Sequence, residues 1–141
     1  MKNKLFILSA LIMLMLGCKQ NNETAPERES VVINSTDSLM LKGDYYPNAG
    51  NEKPLILLFH QAGYSRGEYR EIAPKLNELG FRCLAIDQRS GKEVNGITNE
   101  AFEQASEKGL STDYVDALPD LRAAVEYAQR HYKAKEIILW G

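Results

Sequence analysis

The chain has few histidines. His60 and His131 are the only two in 141 residues, so any chemistry that needs an imidazole base has two candidates to place. Long apolar runs are also scarce. The run at the amino terminus, Leu5 to Leu16, has 12 residues, whereas spanning a bilayer takes about 20, which argues against a permanent transmembrane helix. No basic stripe occurs: 17 Lys and Arg stand against 19 Asp and Glu, which argues against nucleic acid as a partner. Phosphate-binding loops are missing too. The stretch "HQAGYSRG" lacks Gly-x-Gly-x-x-Gly and has no Lys-Ser/Thr ending, which argues against a flavodoxin-like or nucleotide-binding domain. No internal repeat is apparent.

What is present begins with "MKNKLFILSALIMLMLGC". Lys2 and Lys4 precede the apolar run, and Gly17-Cys18 follows it. This is the layout of a secretory signal peptide. Met15-Leu16-Gly17-Cys18 resembles the bacterial lipobox, in which cleavage leaves a lipid-modified cysteine as the new amino terminus. On this reading residues 1–17 are a signal peptide, Cys18 is the lipid attachment site and residues 18–30 are a flexible tether. The polar "KQNNETAPERES" carries no apolar periodicity. Residues 31–141 form the folded part. Acyl chains worth ~0.8 kcal/mol per buried methylene would hold the protein on a membrane of the bacterial cell envelope, and Lys19 in place of Asp favours the outer one. Removing residues 1–17 takes away Lys2 and Lys4 and moves the formal charge from −2 to −4. Cys83 is then the remaining thiol, so the mature chain has no intrachain disulfide. Its apolar setting, "FRCLAID", predicts an inert core residue.

The folded part reads as α/β. Val31–Ile33 and Leu39–Pro47 are strand-like, with Asn34–Ser38 as the turn between them. Leu39, Leu41 and Gly43 share one face, and Met40, Lys42 and Asp44 the other. Asn48–Pro54 is a loop. "LILLFH" is continuously apolar, as befits a central strand covered on both sides. Tyr69, Ile72, Ala73, Leu76 and Leu79 recur at helical spacing; Pro74 should kink or divide that helix, and Gly80 should cap it. "FRCLAID" is the next buried strand. The long polar stretch Gln88–Thr112 has a short helix around Asn99–Lys108, and as a whole is a candidate wall or lid. A second amphipathic helix follows, with Val115, Leu118, Leu121, Val125 and Ala128 on its buried side and Pro119 in its first turn. "EIILWG" is a final strand. This order predicts a mainly parallel sheet with helices on its faces.

One motif invites a chemical reading. Gly63-Tyr64-Ser65-Arg66-Gly67 is literally Gly-x-Ser-x-Gly, the pattern of a nucleophile elbow. Three residues, His60-Gln61-Ala62, separate it from the preceding strand, whereas an elbow turns straight off its strand. Arg66 puts a long side chain where the tight turn wants a small one. His131 ends a helix up to ~27 Å long that runs antiparallel to the strands, so it belongs at the edge opposite Ser65. Sites in open α/β sheets lie at the carboxyl ends of the strands. These features argue against Ser65 as nucleophile.

From "PLILLFHQAGYSRGEYREIAPKLNELGFRCLAIDQRSG" through "YVDALPDLRAAVEYA" to "IILWG", the sequence resembles the α/β-hydrolase superfamily, in its dienelactone-hydrolase-like branch, over about residues 31 to 141. The resemblance implies the amino-terminal half of that fold. It matches "HQAG" to the loop that supplies an oxyanion-hole donor, the backbone N–H of Gln61, worth typically ~3 kcal/mol in the transition state. It makes His60 a structural residue that bonds loop backbone. Asp87 becomes an anchor for the loop after its strand, through Arg89 or backbone N–H groups. "EIILWG" matches the strand before the true nucleophile, which would fall two residues after Gly141, with the triad acid and histidine later.

The implied function is that of an amino-terminal fragment of a lipid-anchored serine hydrolase. It would act on a small ester, lactone or related acyl substrate without metal or organic cofactor, and would be inactive as residues 1–141 because all three triad members are missing. The alternative is a short lipoprotein that serves as a non-catalytic binding module. Against it stands the last strand, which would leave an apolar open edge.

Overall fold

The computed structural model describes residues 28–49 and 53–141; the segment read as a signal peptide, Cys18 and residues 19–27 of the segment read as a tether lie outside the described residues. Strand β1 (Glu29–Asn34) begins two residues inside the segment read as tether. It pairs antiparallel with β2 (Met40–Tyr46). The turn is closed by Ser35 N donating to Leu39 O at 2.8 Å. The expected alternation holds at the start of β2, where Leu41 and Gly43 are buried and Met40 is exposed. It fails at Asp44, which is buried because Arg28 bonds its carboxylate at 2.8 Å and Arg66 lies within 3.4 Å.

Three strands make the parallel part of the sheet: β3 (Leu55–Phe59), β4 (Arg82–Ile86) and β7 (Ile137–Trp140). The sheet order is β1-β2-β4-β3-β7, with β2 antiparallel to β4 and the other two pairs parallel. A separate two-stranded hairpin, β5 (Glu93–Val94) and β6 (Ile97–Thr98), projects from the stretch after β4. The class expected from the sequence is thus the class observed, a parallel centre with an antiparallel hairpin along one edge.

Continuous burial of β3 and β4 follows from cover on both faces. Ile56 and Leu58 of β3, with Cys83 and Ala85 of β4, pack with Tyr69 and Ala73 on the side of α1 (Ile72–Glu78). Leu55, Leu57 and Phe59, with Leu84 and Ile86, face the other way. There they meet the alanines of α2 (Glu100–Glu107) and α3 (Leu118–His131). Cys83 is fully buried, and burial pushes its thiol up to about 12, which accords with an inert core residue.

Prolines and glycines punctuate the helices as expected. The first helical segment is divided into a 3₁₀ turn, Arg66–Tyr69, and α1, in which Pro74 sits in the first turn where its missing N–H has no partner to lose. Gly80 takes φ +89°, and the bonds Gly80 N to Asn77 O and Phe81 N to Leu76 O close a Schellman cap. Pro119 likewise falls in the first turn of α3.

The buried side of α3 is as expected at Leu121, Val125 and Ala128, which face the core, and differs at the start. Val115 is 76% exposed and Leu118 49% exposed, while Asp120, Ala123, Ala124 and Ala128 are buried. Residues Tyr114–Ala117 form a 3₁₀ turn, so Val115 is out of phase with the α-helix that follows. Small alanines let α3 approach the sheet closely. Leu121 and Val125 are half-buried against the core, and with the exposed Leu118 they border a flank beside Phe59 and Leu139.

Candidate functional site

A cleft of about 520 Å³ opens where β3, β4 and β7 end. Phe59, His60, Gln61 and Ala62 line it from the chain leaving β3, Gln88 and Ser90 from the chain leaving β4, and Gly141 from the end of β7. The fourth wall is the start of α3 and the turn before it, including Tyr114, Val115, Leu118 and Leu121. The carboxyl edge of a parallel sheet is where binding sites form in such folds. One wall is apolar, and the other is built from loop backbone.

The loop after β3 is held by a buried polar network. Gln61 O accepts from Tyr64 N at 3.1 Å, closing a turn in which Gly63 takes φ +88°. Gly63 N donates to Ser90 O, tying this loop to the one after β4. His60 is 2% exposed. Asn99 Nδ2, a pure donor, lies 3.1 Å from His60 Nε2, which must therefore accept, leaving the proton on Nδ1 to go to Gln61 O at 2.9 Å. Burial holds the His60 imidazole below its usual pKa, consistent with a neutral ring. His60 O in turn accepts from Gln88 Nε2 at 2.5 Å. Both ring nitrogens are spent on the scaffold, so His60 is a structural residue here.

Asn99 was legible only as the start of a short helix. It is fully buried, and its side-chain oxygen caps α2 by accepting from Phe102 N at 3.0 Å. Its amide donates to Gln88 O at 2.8 Å and lies 3.3 Å from Tyr64 O. Gly91 is required beside it: a Cβ there would sit 2.3 Å from Asn99 Nδ2 and 1.9 Å from Tyr64 O. The hairpin β5–β6 was also missed. Its signal was present in Asn95-Gly96 between Val94 and Ile97, where both turn residues take positive φ.

Each conspicuous residue of the Gly-x-Ser-x-Gly pattern has a local structural task. Gly63 makes the turn. Ser65 is fully buried; its Oγ donates to Ile97 O at 2.6 Å and accepts from Gly67 N at 3.2 Å, capping the 3₁₀ turn. Gly67 is needed because a Cβ would meet Val94 O at 2.3 Å. His131 ends α3, while the start of α3 lines the cleft, and its ring stacks on Tyr127 at 4.8 Å. Ser65 and His131 are not brought together.

Asp87 anchors its loop, but not through Arg89. Its carboxylate accepts from Arg66 N at 2.7 Å and pairs with the Arg66 guanidinium. Arg89 instead grips Asp120 with Nε and Nη2 at 2.9 and 2.6 Å and reaches Asp37 at 2.6 Å. Asp120 is fully buried in the first turn of α3 and waits there for the guanidinium, which fixes that helix against the loop after β4. Burial raises the Asp87 carboxyl to about 6 even beside Arg66.

Gln61 lies on the exposed rim of the cleft. Its backbone N–H donates to Glu68 Oε2 at 3.0 Å, so this donor is satisfied by a carboxylate oxygen. Glu68 was not singled out in the sequence. Among the described residues no group of three or more His, Cys, Asp or Glu side chains is arranged to hold a metal ion.

No protein-family model matches the chain, and no curated protein matches it by sequence. Solved structures do match. An esterase from Pyrococcus furiosus is 24% identical with a TM-score of 0.53, over 80% of this chain and 38% of its own. A thermostable carboxyl esterase from Bacillus coagulans is 16% identical with a TM-score of 0.58, over 82% of this chain and 36% of its own. An alpha-beta serine hydrolase homologue from Coxiella burnetii is 19% identical with a TM-score of 0.53, over 81% of this chain and 51% of its own. The fold is therefore that of the α/β hydrolases, and the chain spans about a third to a half of the length of these structures.

Two consequences are measurable. Asn99→Ala removes a helix cap and orphans several buried carbonyl and ring acceptors; urea unfolding should show a loss of about 2–4 kcal/mol. Asp87 has a folded pKa above the unfolded value of 3.8. Its stabilising contribution is full below about pH 4 and is lost as pH rises through 6, by roughly 3 kcal/mol. The stability difference between wild type and Asp87→Asn should drift by that amount between pH 4 and 7, and the Asp87 carboxyl carbon should titrate near 6 by NMR. A midpoint below 4 would contradict this assignment.

Proposed function

We propose that the chain is the amino-terminal portion of a lipid-anchored serine hydrolase acting on an ester, lactone or related acyl bond, in the manner of the dienelactone-hydrolase-like branch. The observation that carries the reading is the backbone N–H of Gln61. It stands at the carboxyl edge of the sheet, on a loop locked by His60 and Asn99, and it already receives an anionic oxygen. A donor fixed in this way costs no reorganisation when charge develops on an acyl oxygen. The matching structures are those of esterases and a serine hydrolase homologue, which supports the same direction.

In the proposed mechanism a serine following β7 attacks the acyl carbon, a histidine takes its proton, and the oxygen that gains charge moves onto the Gln61 N–H. The nucleophile, its histidine and the triad acid come from sequence beyond Gly141, and the scheme uses neither metal nor organic cofactor. The apolar wall of Val115, Leu118 and Leu121 takes the carbon skeleton of a small acyl substrate. Residues 1–141 alone would be inactive, since the oxyanion donor without a triad leaves only binding and electrostatic effects. Cys18 would carry the lipid that holds the enzyme on the bacterial envelope, with residues 19–28 as the spacer.

Hydrolysis of p-nitrophenyl acetate by the protein read through past Gly141 tests the catalytic part. Ser65→Ala and Gln61→Ala should each keep kcat within about three-fold, because one side chain is structural and the other is dispensable beside its backbone. Replacing the serine two residues after Gly141 should lower kcat by a factor of about 10⁴ or more. Loss of activity in Ser65→Ala with an unchanged fold would overturn the assignment. For the anchor, Cys18→Ala should leave an unlipidated precursor by intact mass and shift the protein out of the membrane fraction; unchanged mass and partition would exclude the lipobox reading.

A further inference from the structure

We propose that Glu68 is a built-in competitor for the Gln61 N–H: its carboxylate holds the acyl-oxygen position in the resting protein and has to leave before a substrate carbonyl can bind. The inference rests on the reading of Gln61 as oxyanion donor and adds a resident occupant to that site.

The geometry carries it. Glu68 Oε2 lies 3.0 Å from Gln61 N, and a single N–H serves one acceptor well at a time. The backbone of Glu68 is fixed. Its 3₁₀ turn is capped by Ser65, bound by Asn95 Nδ2 at Gly67 O and pinned by Tyr69 Oη donating to Phe59 O at 2.8 Å. The side chain is not fixed in the same way. It is half-buried beside Gln61, and among the described residues Glu68 forms no ion pair, its carboxylate having the Gln61 N–H as its hydrogen-bond partner. Rotation about its own bonds therefore releases the N–H without moving the loop. A carboxylate that stayed would also repel the negative charge growing on the acyl oxygen. The arrangement selects for ligands that can displace an anion from this donor.

The probe is a p-nitrophenyl alkylphosphonate applied to the hydrolase read through past Gly141. The serine oxygen bonds phosphorus as p-nitrophenolate leaves, the serine proton goes to the histidine, and a charged phosphonyl oxygen takes the oxyanion position. Glu68→Ala should react roughly ten-fold faster than wild type, the ratio expected from losing one charge-assisted competitor. Glu68→Gln, which keeps the size and drops the charge, should fall between them. In wild type and both variants the Gln61 amide proton should shift on phosphonylation. Rates in the variants equal to or below wild type, with that shift intact, would mean that Glu68 merely pins the loop and would overturn the proposal alone. A Gln61 amide that does not respond in any variant would overturn the oxyanion reading itself, and the proposal with it.

Discussion

The buried amide of Asn99 is the interaction on which the cleft depends. One side chain caps α2, receives no solvent, and hands its two N–H groups to acceptors on the chain leaving β3 and the chain leaving β4. Because the Asn99 donor occupies His60 Nε2, the His60 proton is forced onto Nδ1, and that proton orients the Gln61 carbonyl. A peptide group is planar, so the carbonyl that shares a plane with the Gln61 N–H is His60 O, which accepts from Gln88 Nε2 at 2.5 Å, and Gln88 O itself accepts from the Asn99 amide. The direction of the Gln61 N–H is thus set by a chain of neutral hydrogen bonds that runs back to a helix cap. Gly91 belongs to the same constraint, since any side chain there would enter the space where the network converges.

Ion pairs do a different task around this neutral hub. Arg66 joins Asp87 at the end of β4 to Asp44 on β2, and Arg89 joins the start of α3 to the chain leaving β4 and to Asp37. Each guanidinium serves two carboxylates, and each cluster ties a loop at the carboxyl edge to an element beneath it. The Arg66 cluster strains against burial, as the raised Asp87 carboxyl records. Buried pairs of this kind contribute modestly to net stability and more to fixing geometry, while breaking one leaves a stranded charge. The loops around the cleft are thus tied by these pairs to the sheet and to α3.

Much of this was legible in the sequence. The apolar runs Leu55–Phe59 and Arg82–Ile86 announced central strands, because burial on both faces leaves no room for alternation. Gly80 and the early prolines marked helix ends through local backbone rules. The rejection of Ser65 also followed from local reasoning, and the structure supplies the reason for its presence: it caps a turn. What was not legible depended on partners distant in sequence. Asp87 could not be assigned to Arg66, 21 residues away, over the adjacent Arg89, since only the fold decides which guanidinium arrives. The burial of Asn99 and Asp120 was hidden for the same reason. Val115 was misplaced because a 3₁₀ turn before α3 shifts the helical phase, which apolar spacing alone does not reveal. Asn95-Gly96 is the exception, a local hairpin-turn signal between Val94 and Ile97 that needs no distant partner.

The central claim is that the loop carrying Gln61 serves a nucleophile that is not Ser65. The most direct test is to label the native protein with a fluorophosphonate and to locate the modified residue by peptide mass spectrometry. The account predicts one labelled serine, in a peptide that follows "EIILWG", with Ser65 unmodified. Label on Ser65, or no labelled serine on a folded native protein, would contradict it.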